Sequence, residues 1–569
     1  MKKKMVFLAR IFTQTQIAIT AITIALTMYA CKPDLEALNG SKVNSENNSA
    51  ARVGDYTLKS ISNFKVGCAE EFGRAYGNNP VLQTLIKNEY DRLTSNEFKM
   101  DFVNYEQNGN INFTNFDNEL NFAKTNGLDI FGHSLIYNIS SPAWFKNVGT
   151  KEELEFAAKR YIQTMIKRAE LPQFGGVLKG VDIANELFNY DGRWNGVETN
   201  TNVQKWRNLY ASDDEFKRFI GRCFQWAREA DNLNGATNIK LFYNDYDQEA
   251  SQRPEKRNAI YAFCAWLKNN GYPIDGIGLQ FHLLINDNPV DNFDRPTTFV
   301  GVSEAIEKAA QLENGFFDIH ISELDFRMDR NITSAPLYNY AEQWKQYDLA
   351  RFVVNKYRTT VNVNKQFGVT LWNITDKYSW FNQPYFDGNK PDKDFPTVFD
   401  ANSNRKIAYY GFLSGAASNN QFFLPENYFH LYNQGSGKFA EVENGSLADA
   451  ALIKQRYLKS SNNRQVFQLI YNNAGFYNLR NINSNKLLDH YASEPFSLQQ
   501  YGSEFQSTAN NRLFSFVGLG KGVFKISGKT VYANNTFKTL QAPSVTEGAT
   551  IKLGTANDQN GFQYWRLEE

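Results

Sequence analysis

An alternation of strand-like and helix-like segments between about residues 58 and 416 constrains the fold of this chain most strongly. Eight apolar runs, rich in β-branched residues, are separated by longer amphipathic stretches such as 151–169, 213–230, 257–270 and 302–312. Strands that alternate with helices pair in parallel, and eight of them are typical of a closed (β/α)₈ barrel. We therefore predict an α/β fold, a TIM barrel, with strands at 64–69, 93–98, 128–137, 177–183, 239–244, 274–280, 317–322 and 369–372.

The sequence changes character at about residue 424, where helical periodicity gives way to short strand-like runs and turns rich in Asn, Gly and Ser. A weak repeat runs through this region, because Leu431, Leu479 and Ile526 hold equivalent positions that are 48 and 47 residues apart. Three all-β units of this length, each ending in an aromatic residue, resemble the ricin-type β-trefoil. The resemblance is best in the second unit, at 483–489. We expect a smaller all-β domain, a β-trefoil, over residues 424–569.

The first 31 residues have the architecture of a secretion signal. Three lysines and Arg10 precede an apolar stretch that ends in Ala30-Cys31, and a small residue before a cysteine resembles a bacterial lipobox. This predicts a lipoprotein signal peptide over 1–31, acylation of Cys31, and a disordered tether over 32–55. A transmembrane anchor is the alternative, but Gln14 and Gln16 leave the apolar stretch short for spanning a bilayer.

Composition excludes some classes of partner. The 61 Lys and Arg balance 60 Asp and Glu, for a net charge of +1, so the charge does not favour binding to nucleic acid or to an anionic surface. Aromatic residues form 15% of the chain, which suits both sugar stacking and core packing. Cys68, Cys223 and Cys264 lack metal-ligand or disulfide spacing, and we expect them to be buried thiols.

Two predicted strands each deliver a glutamate where the apolar run stops, Glu186 at the end of 180–186 and Glu323 within 318–325. A buried carboxylate is costly unless it has a use. Two glutamates from distant strands are what glycoside hydrolysis with retention requires, one as acid/base and one as nucleophile. Asn185 is placed to hydrogen-bond a sugar 2-hydroxyl, and His282, at another strand end, is placed to orient Glu323.

These segments resemble glycoside hydrolase family 10, whose members are mainly endo-β-1,4-xylanases with a (β/α)₈ fold. The resemblance covers about residues 58–416 and implies a catalytic domain over 56–418. It makes Glu186 the general acid/base and Glu323 the nucleophile, with Asp325 in a supporting position. The motifs that carry it, in the order of the family, are those at 95–99, 132–140, 182–186, 243–246, 276–282, 321–325 and 370–380.

The same resemblance implies a set of substrate-binding residues. Gln280 and His282 would line the subsite of the cleaved sugar, with Trp372 and Trp380 as its floor and wall. The full implied set is Asn96, Lys99, His133, Tyr137, Asn185, Tyr246, Gln280, His282, Trp372 and Trp380.

The sequence departs from the family pattern on the glycone side of the predicted cleft. Ser95 stands in place of a glutamate, Tyr137 of a tryptophan, Asn138 of a histidine and Ser140 of a glutamine. A tyrosine offers less stacking area than an indole, and a serine removes a charged acceptor for sugar hydroxyls. We therefore predict that the distal glycone subsite is weaker, or is adapted to a decorated chain.

The β-trefoil suggests carbohydrate binding at shallow sites that each use an acidic residue and an aromatic one. Asp489, Gln500 and Tyr501 form the best candidate set. The first unit has Glu441, and the third has Tyr532-Ala533-Asn534, near the equivalent turn, so those sites look eroded. The alternative is a degenerate trefoil whose aromatic residues only fill the core.

Together these features predict a secreted or lipid-anchored, retaining endo-β-1,4-xylanase with an appended carbohydrate-binding trefoil. It would act as a monomer on xylan or a related β-glycan at the bacterial cell envelope, on the outer membrane or cell surface. Its chemistry needs no metal or cofactor, and its membrane contact would be the lipid anchor alone. Two alternatives stay open: a retaining hydrolase of another or heavily decorated β-glycan, and a surface glycan-binding lipoprotein without turnover.

Overall fold

The computed structural model describes residues 55–568, with gaps at 234–238, 252, 286–294, 329–337, 383–393, 419–420, 460–462, 473–474, 492, 503, 505, 521 and 531–537. The predicted signal peptide, Cys31, nearly all of the predicted tether and residues 532–534 lie outside this part of the chain. Two compact units are present, one from Tyr56 to Phe423 and one that contains Leu424–Glu569. Among the helices of the described residues, none is both long and apolar enough to cross a bilayer.

The first unit is a closed barrel of parallel strands, as the sequence predicts. Strands β1 to β6 pair in chain order, β1 also pairs with β9, β9 with β8, and the pairing of β8 with β6 closes the barrel. Short β7 follows β6 and pairs with the outer part of β8. The strands are β1 (Val66–Glu70), β2 (Arg92–Ser95), β3 (Asp129–Gly132), β4 (Leu178–Asn185), β5 (Lys240–Asp245), β6 (Gly276–Leu279), β7 (His282–Leu284), β8 (Asp318–Arg327) and β9 (Gln366–Trp372).

Helices follow the barrel strands. A π-helical turn, Phe72–Tyr76, comes directly after β1. The α-helices of the described residues are α1 (Leu58–Ile61), α2 (Pro80–Glu89), α3 (Thr114–Asn126), α4 (Ala143–Lys146), α5 (Lys151–Ala169), α6 (Asn202–Arg207), α7 (Asp213–Leu233), α8 (Pro254–Asn269), α9 (Arg295–Gln311), α10 (Tyr340–Thr360) and α11 (Ile407–Ala416).

Local sequence explains where these elements begin and end. Helix α5 has the bounds predicted from its periodicity, because Thr150 and Glu153 form a reciprocal capping box at its start. Strand β2 stops at Ser95, earlier than predicted, because residues Asn96–Phe98 turn into a 3₁₀ helix. Strand β3 likewise stops at Gly132, and the predicted extension to residue 137 is a loop with one bridge to β4.

The barrel interior is filled by aromatic side chains. Phe242 and Phe367 approach to 4.6 Å between ring centroids, and His320 lies 5.2 Å from Phe367. Gly276 makes room for this packing, because a Cβ atom there would lie 2.1 Å from Phe242. The predicted buried thiols of Cys68, Cys223 and Cys264 are confirmed as buried and free.

The second unit is a β-trefoil of three four-stranded repeats. Six strands form a closed barrel in the order β10, β13, β14, β17, β18 and β21, and β21 pairs back with β10. The remaining strands form three hairpins. The strands are β10 (Tyr428–Asn433), β11 (Lys438–Val442), β12 (Ile453–Arg456), β13 (Val466–Asn472), β14 (Phe476–Asn481), β15 (Leu487–His490), β16 (Leu498–Tyr501), β17 (Phe514–Gly520), β18 (Val523–Gly528), β19 (Lys538–Gln541), β20 (Lys552–Thr555) and β21 (Trp565–Glu568).

The predicted repeat maps onto this symmetry. Leu431, Leu479 and Ile526 lie on the first strand of each repeat, and all three are buried. A period of 47 to 48 residues therefore corresponds to one four-stranded unit.

Candidate active site

The two candidate catalytic glutamates come from strands β4 and β8, whose carboxyl ends meet at one rim of the barrel. Glu186 follows the last residue of β4 in a left-handed backbone conformation, with φ of 56°. Its N–H donates to the carbonyl oxygen of Asn244 at 3.0 Å, which fixes this turn against β5. Glu323 lies within β8, where the pairing with β9 shifts register between Ile321 and Leu324.

A network of carboxamides joins the two carboxyl groups. Gln280 Nε2 donates to Glu186 Oε1 at 3.0 Å and to Asn185 Oδ1 at 3.3 Å. Asn244 Nδ2 donates to the same Asn185 oxygen at 3.0 Å and to Glu323 Oε1 at 2.7 Å. Three amides from three strand ends therefore hold both carboxyl groups in fixed positions, which is the preorganisation that a reacting pair needs.

His282 places a positive charge beside Glu323. Its Nε2 lies 3.2 Å from Glu323 Oε2, its Nδ1 lies 2.8 Å from Asp325 Oδ2, and Trp380 Nε1 donates to that Asp325 oxygen at 3.1 Å. Burial alone lowers the pKa of His282, but Asp325 and Glu323 outweigh it and raise this pKa to about 10. The imidazole is therefore charged at neutral pH.

The surroundings keep Glu323 ionised. Burial by itself raises the pKa of Glu323, but the basic groups around it, with His282 and Lys99 among them, more than offset this, and the net pKa lies below the ordinary value. His133 is itself neutral at working pH, since burial lowers its pKa to about 3. The positive charge that stabilises the carboxylate therefore comes from His282 and Lys99.

The pKa of Glu186 is shifted in the opposite direction, above its ordinary value. Burial, then the charges of Glu323 and Asp245, raise the pKa of Glu186, and the hydrogen bonds from Gln280 and Tyr137 only partly offset this. One carboxyl group is thus held towards its protonated form and its partner towards its ionised form. A pair with pKa values pushed apart in this way can supply a proton and a nucleophile at the same pH.

The structure brings the residues that are predicted to lie on the glycone side to the same rim. Lys99 Nζ donates to Asn96 Oδ1 at 2.7 Å and lies 5.6 Å from the Trp372 ring centroid. His133 meets Trp372 edge-on at 5.4 Å and places Nδ1 2.8 Å from Asp182 Oδ2. Four separate motifs of the sequence therefore converge beside the two glutamates.

Tyr137 reaches the catalytic pair itself. Its hydroxyl donates to Glu186 Oε2 at 2.9 Å, while Lys99 lies 6.0 Å from its ring centroid. The sequence predicts a role for Tyr137 in the distal glycone subsite. In the structure, its hydroxyl instead bonds the carboxyl group of Glu186 and lowers the pKa of that group.

Ser95 faces the helix layer. Its hydroxyl donates to Glu119 on α3, and the Tyr76 hydroxyl donates to the other oxygen of the same carboxyl group. Burial raises the pKa of Glu119 to about 7, although both hydrogen bonds lower it. Sequence reasoning missed Glu119, and its signal was an acidic residue between the apolar positions Phe116 and Leu120.

Tyr246 belongs to an aromatic and cationic group on the other side of Glu186. It meets Tyr190 edge-on at 5.8 Å, and the Lys256 ammonium, paired with Asp245 at 2.9 Å, lies over its ring. Asn244, which lies within the motif at 243–246 and binds Glu323, is the second residue that the sequence analysis did not single out as a site residue.

In the trefoil, the three candidate sugar-binding residues do not share one face. Asp489 is opposite Gln499 in the hairpin of β15 and β16, and Gln500 is opposite Leu488, so Gln500 points to the other side. Gln500 is buried and donates to the carbonyl oxygens of Ser446 and Ala448. Tyr501 lies on the Asp489 side and is 42% exposed.

The carboxylate of Asp489 is fully engaged within the protein. It accepts hydrogen bonds from Gln499 Nε2 at 2.9 Å, Asn511 Nδ2 at 2.8 Å and Arg512 Nε at 3.0 Å. The Arg512 guanidinium also lies 5.1 Å from the Tyr501 ring centroid. Tyr501 is therefore the exposed member of this group, and Asp489 is a structural anchor behind it.

A closed parallel barrel with a pair of glutamates at its strand ends is an arrangement typical of glycoside hydrolases. The chain belongs to glycosyl hydrolase family 10, whose family profile matches residues 57–415, more than half of the sequence. A second profile, that of the ricin-type beta-trefoil lectin domain-like family, matches residues 418–501.

Individual relatives agree with this assignment. The chain is 29% identical over 379 residues to endo-1,4-beta-xylanase A of Caldicellulosiruptor sp. strain Rt8B.4, covering 62% of this chain and 48% of that protein. It is 29% identical over 344 residues to endo-beta-1,4-xylanase Xyn10C of Cellvibrio japonicus, covering 58% and 52%. The chain thus spans about half the length of these relatives. Native xylanase10C from Cellvibrio japonicus superposes with a TM-score of 0.54 at 26% identity, covering 67% of this chain and 76% of that structure.

Proposed function

We propose that this protein is a retaining, endo-acting β-1,4-xylanase that hydrolyses internal bonds of xylan by double displacement. The observation that carries the proposal is the opposite displacement of the pKa values of Glu186 and Glu323 within one hydrogen-bonded network. Membership of the family supports it, as do relatives named as xylanases, one of them solved in complex with xylopentaose.

In the first step, the ionised Glu323 attacks the anomeric carbon while Glu186 donates its proton to the departing glycosidic oxygen. The C–O bond to the leaving sugar breaks, and an ester forms between the remaining glycosyl unit and Glu323. Asn185, held by Gln280 and Asn244, is placed to bond the 2-hydroxyl of that sugar as charge develops.

In the second step, Glu186 changes role. Once Glu323 is esterified it carries no charge, so one of the causes that raises the pKa of Glu186 disappears. The pKa of Glu186 falls, and its carboxylate can take a proton from the water that attacks the anomeric carbon. Hydrolysis of the ester then restores Glu323 as a carboxylate, with net retention of configuration.

The test is turnover of glucuronoxylan and arabinoxylan by the wild-type protein and by Glu323→Ala, with product sizes resolved. Oligosaccharides from the wild type and none from the variant are expected, with several product lengths appearing early, because cleavage is internal. A wild-type protein that releases no product from either polymer contradicts the proposal.

A second candidate substrate is another β-glycan, or a heavily substituted xylan. One relative, 27% identical over 357 residues, is named exoglucanase XynX, from Acetivibrio thermocellus. The replacements at Tyr137, Asn138 and Ser140 also favour an altered glycone subsite, whereas Ser95 bonds Glu119 in the helix layer. Initial rates on xylan, arabinoxylan and mixed-linkage glucan separate these substrates. The intact amide network argues against a capture protein without turnover, which has no need of it.

We further propose that the altered glycone side re-tunes recognition at the distal subsite. Asn138 is buried and Ser140 is partly exposed on the loop that also carries Tyr137. In the Glu323→Ala background, which prevents hydrolysis, adding Tyr137→Trp is expected to tighten the binding of linear xylooligosaccharides. Unchanged affinity in a titration calorimeter contradicts this.

We also propose that Cys31 carries a lipid that holds the protein at the cell envelope. The Ala30-Cys31 pair at the end of an apolar stretch supports this. Cys31→Ala is expected to move the protein from the detergent phase to the aqueous phase on Triton X-114 partition. A wild-type protein already in the aqueous phase after expression in a bacterium contradicts the lipid.

A further inference from the structure

A groove of about 520 Å³ lies on the barrel unit between helix α3 and the π-helical turn Phe72–Tyr76. Its volume falls in the range of pockets that hold small ligands. The proposed cleavage site uses none of its lining residues. The side chains that matter most here are those of Phe72, Gln83, Asn115, Asn118, Asn121 and Phe122.

The lining of this groove selects a class of ligand. None of its eleven residues has an ionisable side chain, and five asparagines and one glutamine supply carboxamides. A carboxamide both donates and accepts hydrogen bonds, as a sugar hydroxyl does. The lining offers no opposite charge to a charged ligand, whereas its carboxamides can hydrogen-bond the hydroxyl groups of a neutral sugar chain.

Most of these carboxamides are not used by the fold. The side chains of Asn78, Asn115, Asn118 and Asn121 make no hydrogen bond to any other described residue. Asn126, by contrast, donates to the carbonyl oxygen of Phe122 at 2.7 Å, and Gln83 donates to those of Tyr76 and Gly77 at 3.0 Å. Asn115, Asn118 and Asn121 are exposed, so their carboxamides are free to exchange water for a ligand.

The spacing lines these amides up. Residues 115, 118, 121 and 125 lie three or four positions apart on α3, so their side chains form one row along the helix. Gly73 on the facing turn permits this, because a Cβ atom there would lie 2.7 Å from Asn115 Nδ2.

Two aromatic rings complete the groove. Phe72 and Phe122 are partly exposed, and each packs edge-on against buried Tyr76, with centroids 5.2 and 5.6 Å apart. Apolar ring faces held in place in this way can cover the C–H face of a sugar while the carboxamides bond its hydroxyls.

We propose that the groove is a second binding site for a neutral oligosaccharide segment, and that its ligand is the β-glycan chain that the cleft cleaves. The identity of the sugar rests on the proposed function. Helix α3 links the two places: its inward face carries Glu119, bonded to Ser95 at the end of β2, and its outward face carries the asparagine row. The site would hold polymer close to the glycone side of the enzyme.

Hydrogen exchange with mass spectrometry on the full chain locates the binding. The Glu323→Ala variant prevents turnover, and xylohexaose is the probe. Slower exchange is expected in peptides covering 72–78 and 114–126, in addition to the cleft. Adding Asn118→Ala with Asn121→Ala, neither of which is bonded in the fold, is expected to remove the protection of those two peptides alone. Protection of the cleft without these peptides overturns the groove and leaves the proposed function standing.

Gel retardation in soluble xylan measures how strongly the groove contributes to xylan binding. Loss of two hydrogen bonds is expected to weaken binding in the Glu323→Ala background about tenfold, with little dependence on salt. The control variant is Asn364→Ala, an exposed asparagine on another turn of the barrel unit. With Glu323 restored, the double variant should release a chromophore from an aryl xylobioside at the wild-type rate. Unchanged retardation overturns the proposal, whereas absent turnover by the wild type overturns the proposed function instead.

Discussion

The barrel rim and the middle hairpin of the trefoil use similar residues in different ways. At the rim, Glu186 accepts hydrogen bonds from Gln280, Asn185 and Tyr137 but stays partly exposed. In the hairpin, Asp489 is 2% exposed and accepts bonds from three side chains of the protein. A sequence motif marks both places, but they differ in exposure, since Glu186 is partly exposed and Asp489 is buried.

The charged groups around the two carboxyl sites also differ. Two carboxyl groups share the barrel rim with one imidazolium, and their mutual repulsion is part of what separates their pKa values. In the hairpin, Arg512 pairs directly with Asp489, and this pair is satisfied within the fold. Neighbouring carboxyl groups with perturbed pKa values are typical of a catalytic site, whereas a carboxylate paired with an arginine within the fold is typical of a structural contact.

The largest effect is expected from the loss of either proposed catalytic glutamate. Turnover of an aryl β-xylobioside should fall by a factor on the order of 10⁵ in Glu323→Ala, because no ester can form. Azide should restore product with opposite anomeric configurations: an α-azide in Glu323→Ala, where it attacks from the vacated face, and a β-azide in Glu186→Ala. Product NMR reads the configuration. The same anomer from both variants would contradict the assigned roles.

The next largest effect tests the imidazolium. Asp325→Asn removes the charge that raises the pKa of His282, so this ring should lose its proton near neutrality and the pKa of Glu323 should rise. Since the nucleophile must be ionised, the acidic limb of the kcat/KM profile should move to higher pH, with a rate loss of about 10². The matched control is Asp489→Asn in the trefoil, which should leave the profile unchanged. An unmoved acidic limb in Asp325→Asn would contradict the assigned role.

Much of the fold and part of the candidate site could be predicted from the sequence. The barrel and the order of its strands follow from periodicity, because strand and helix patterns depend on local spacing, although β2 and β3 end earlier than predicted. The trefoil follows from the internal repeat and from its resemblance to the ricin-type fold. The meeting of Glu186, Glu323, Gln280 and His282 at one rim follows from the rule that parallel strands end together.

Other features depend on side-chain direction, which periodicity does not give. The bond from Ser95 to Glu119 and the placement of Gln500 on the far face of its hairpin could not be predicted. A one-residue change of register reverses the face of a strand residue, so the sequence could not tell Gln499 from Gln500.

A smaller effect is expected from Tyr137, whose hydroxyl bonds Glu186. Tyr137→Phe removes a hydrogen bond that lowers the pKa of Glu186, so that pKa should rise. Because Glu186 must be protonated to act as the acid, the alkaline limb of kcat/KM should move to higher pH, and kcat should fall about tenfold as the carboxyl group loses its anchor. A fall in rate with no movement of the limb would assign Tyr137 to substrate binding instead.

A substitution at Asp489 in the trefoil should lower stability without changing turnover. Asp489→Ala leaves Gln499, Asn511 and Arg512 without their acceptor, which should cost about 1–3 kcal/mol in the free energy of unfolding of that unit. Hydrolysis of soluble xylooligosaccharides should be unaffected. Calorimetric melting and initial rates, measured on the same preparation, check both statements. A lower rate on soluble substrate without a lower melting temperature would contradict this reading of Asp489.

The smallest expected effect is the sharpest test of the comparison, because it separates binding from folding at one site. Tyr501→Ala removes a half-exposed ring that rests on Arg512, so the melting temperature should stay within a degree or two of the wild type. If the hairpin binds sugar through this ring, retention on insoluble xylan should fall by about two- to tenfold, the usual worth of one aromatic contact. Asp489→Asn keeps the shape of the anchor and provides the matched control. Equal retention by the wild type and Tyr501→Ala would mean that this face of the trefoil is structural, in the same way as the carboxylate behind it.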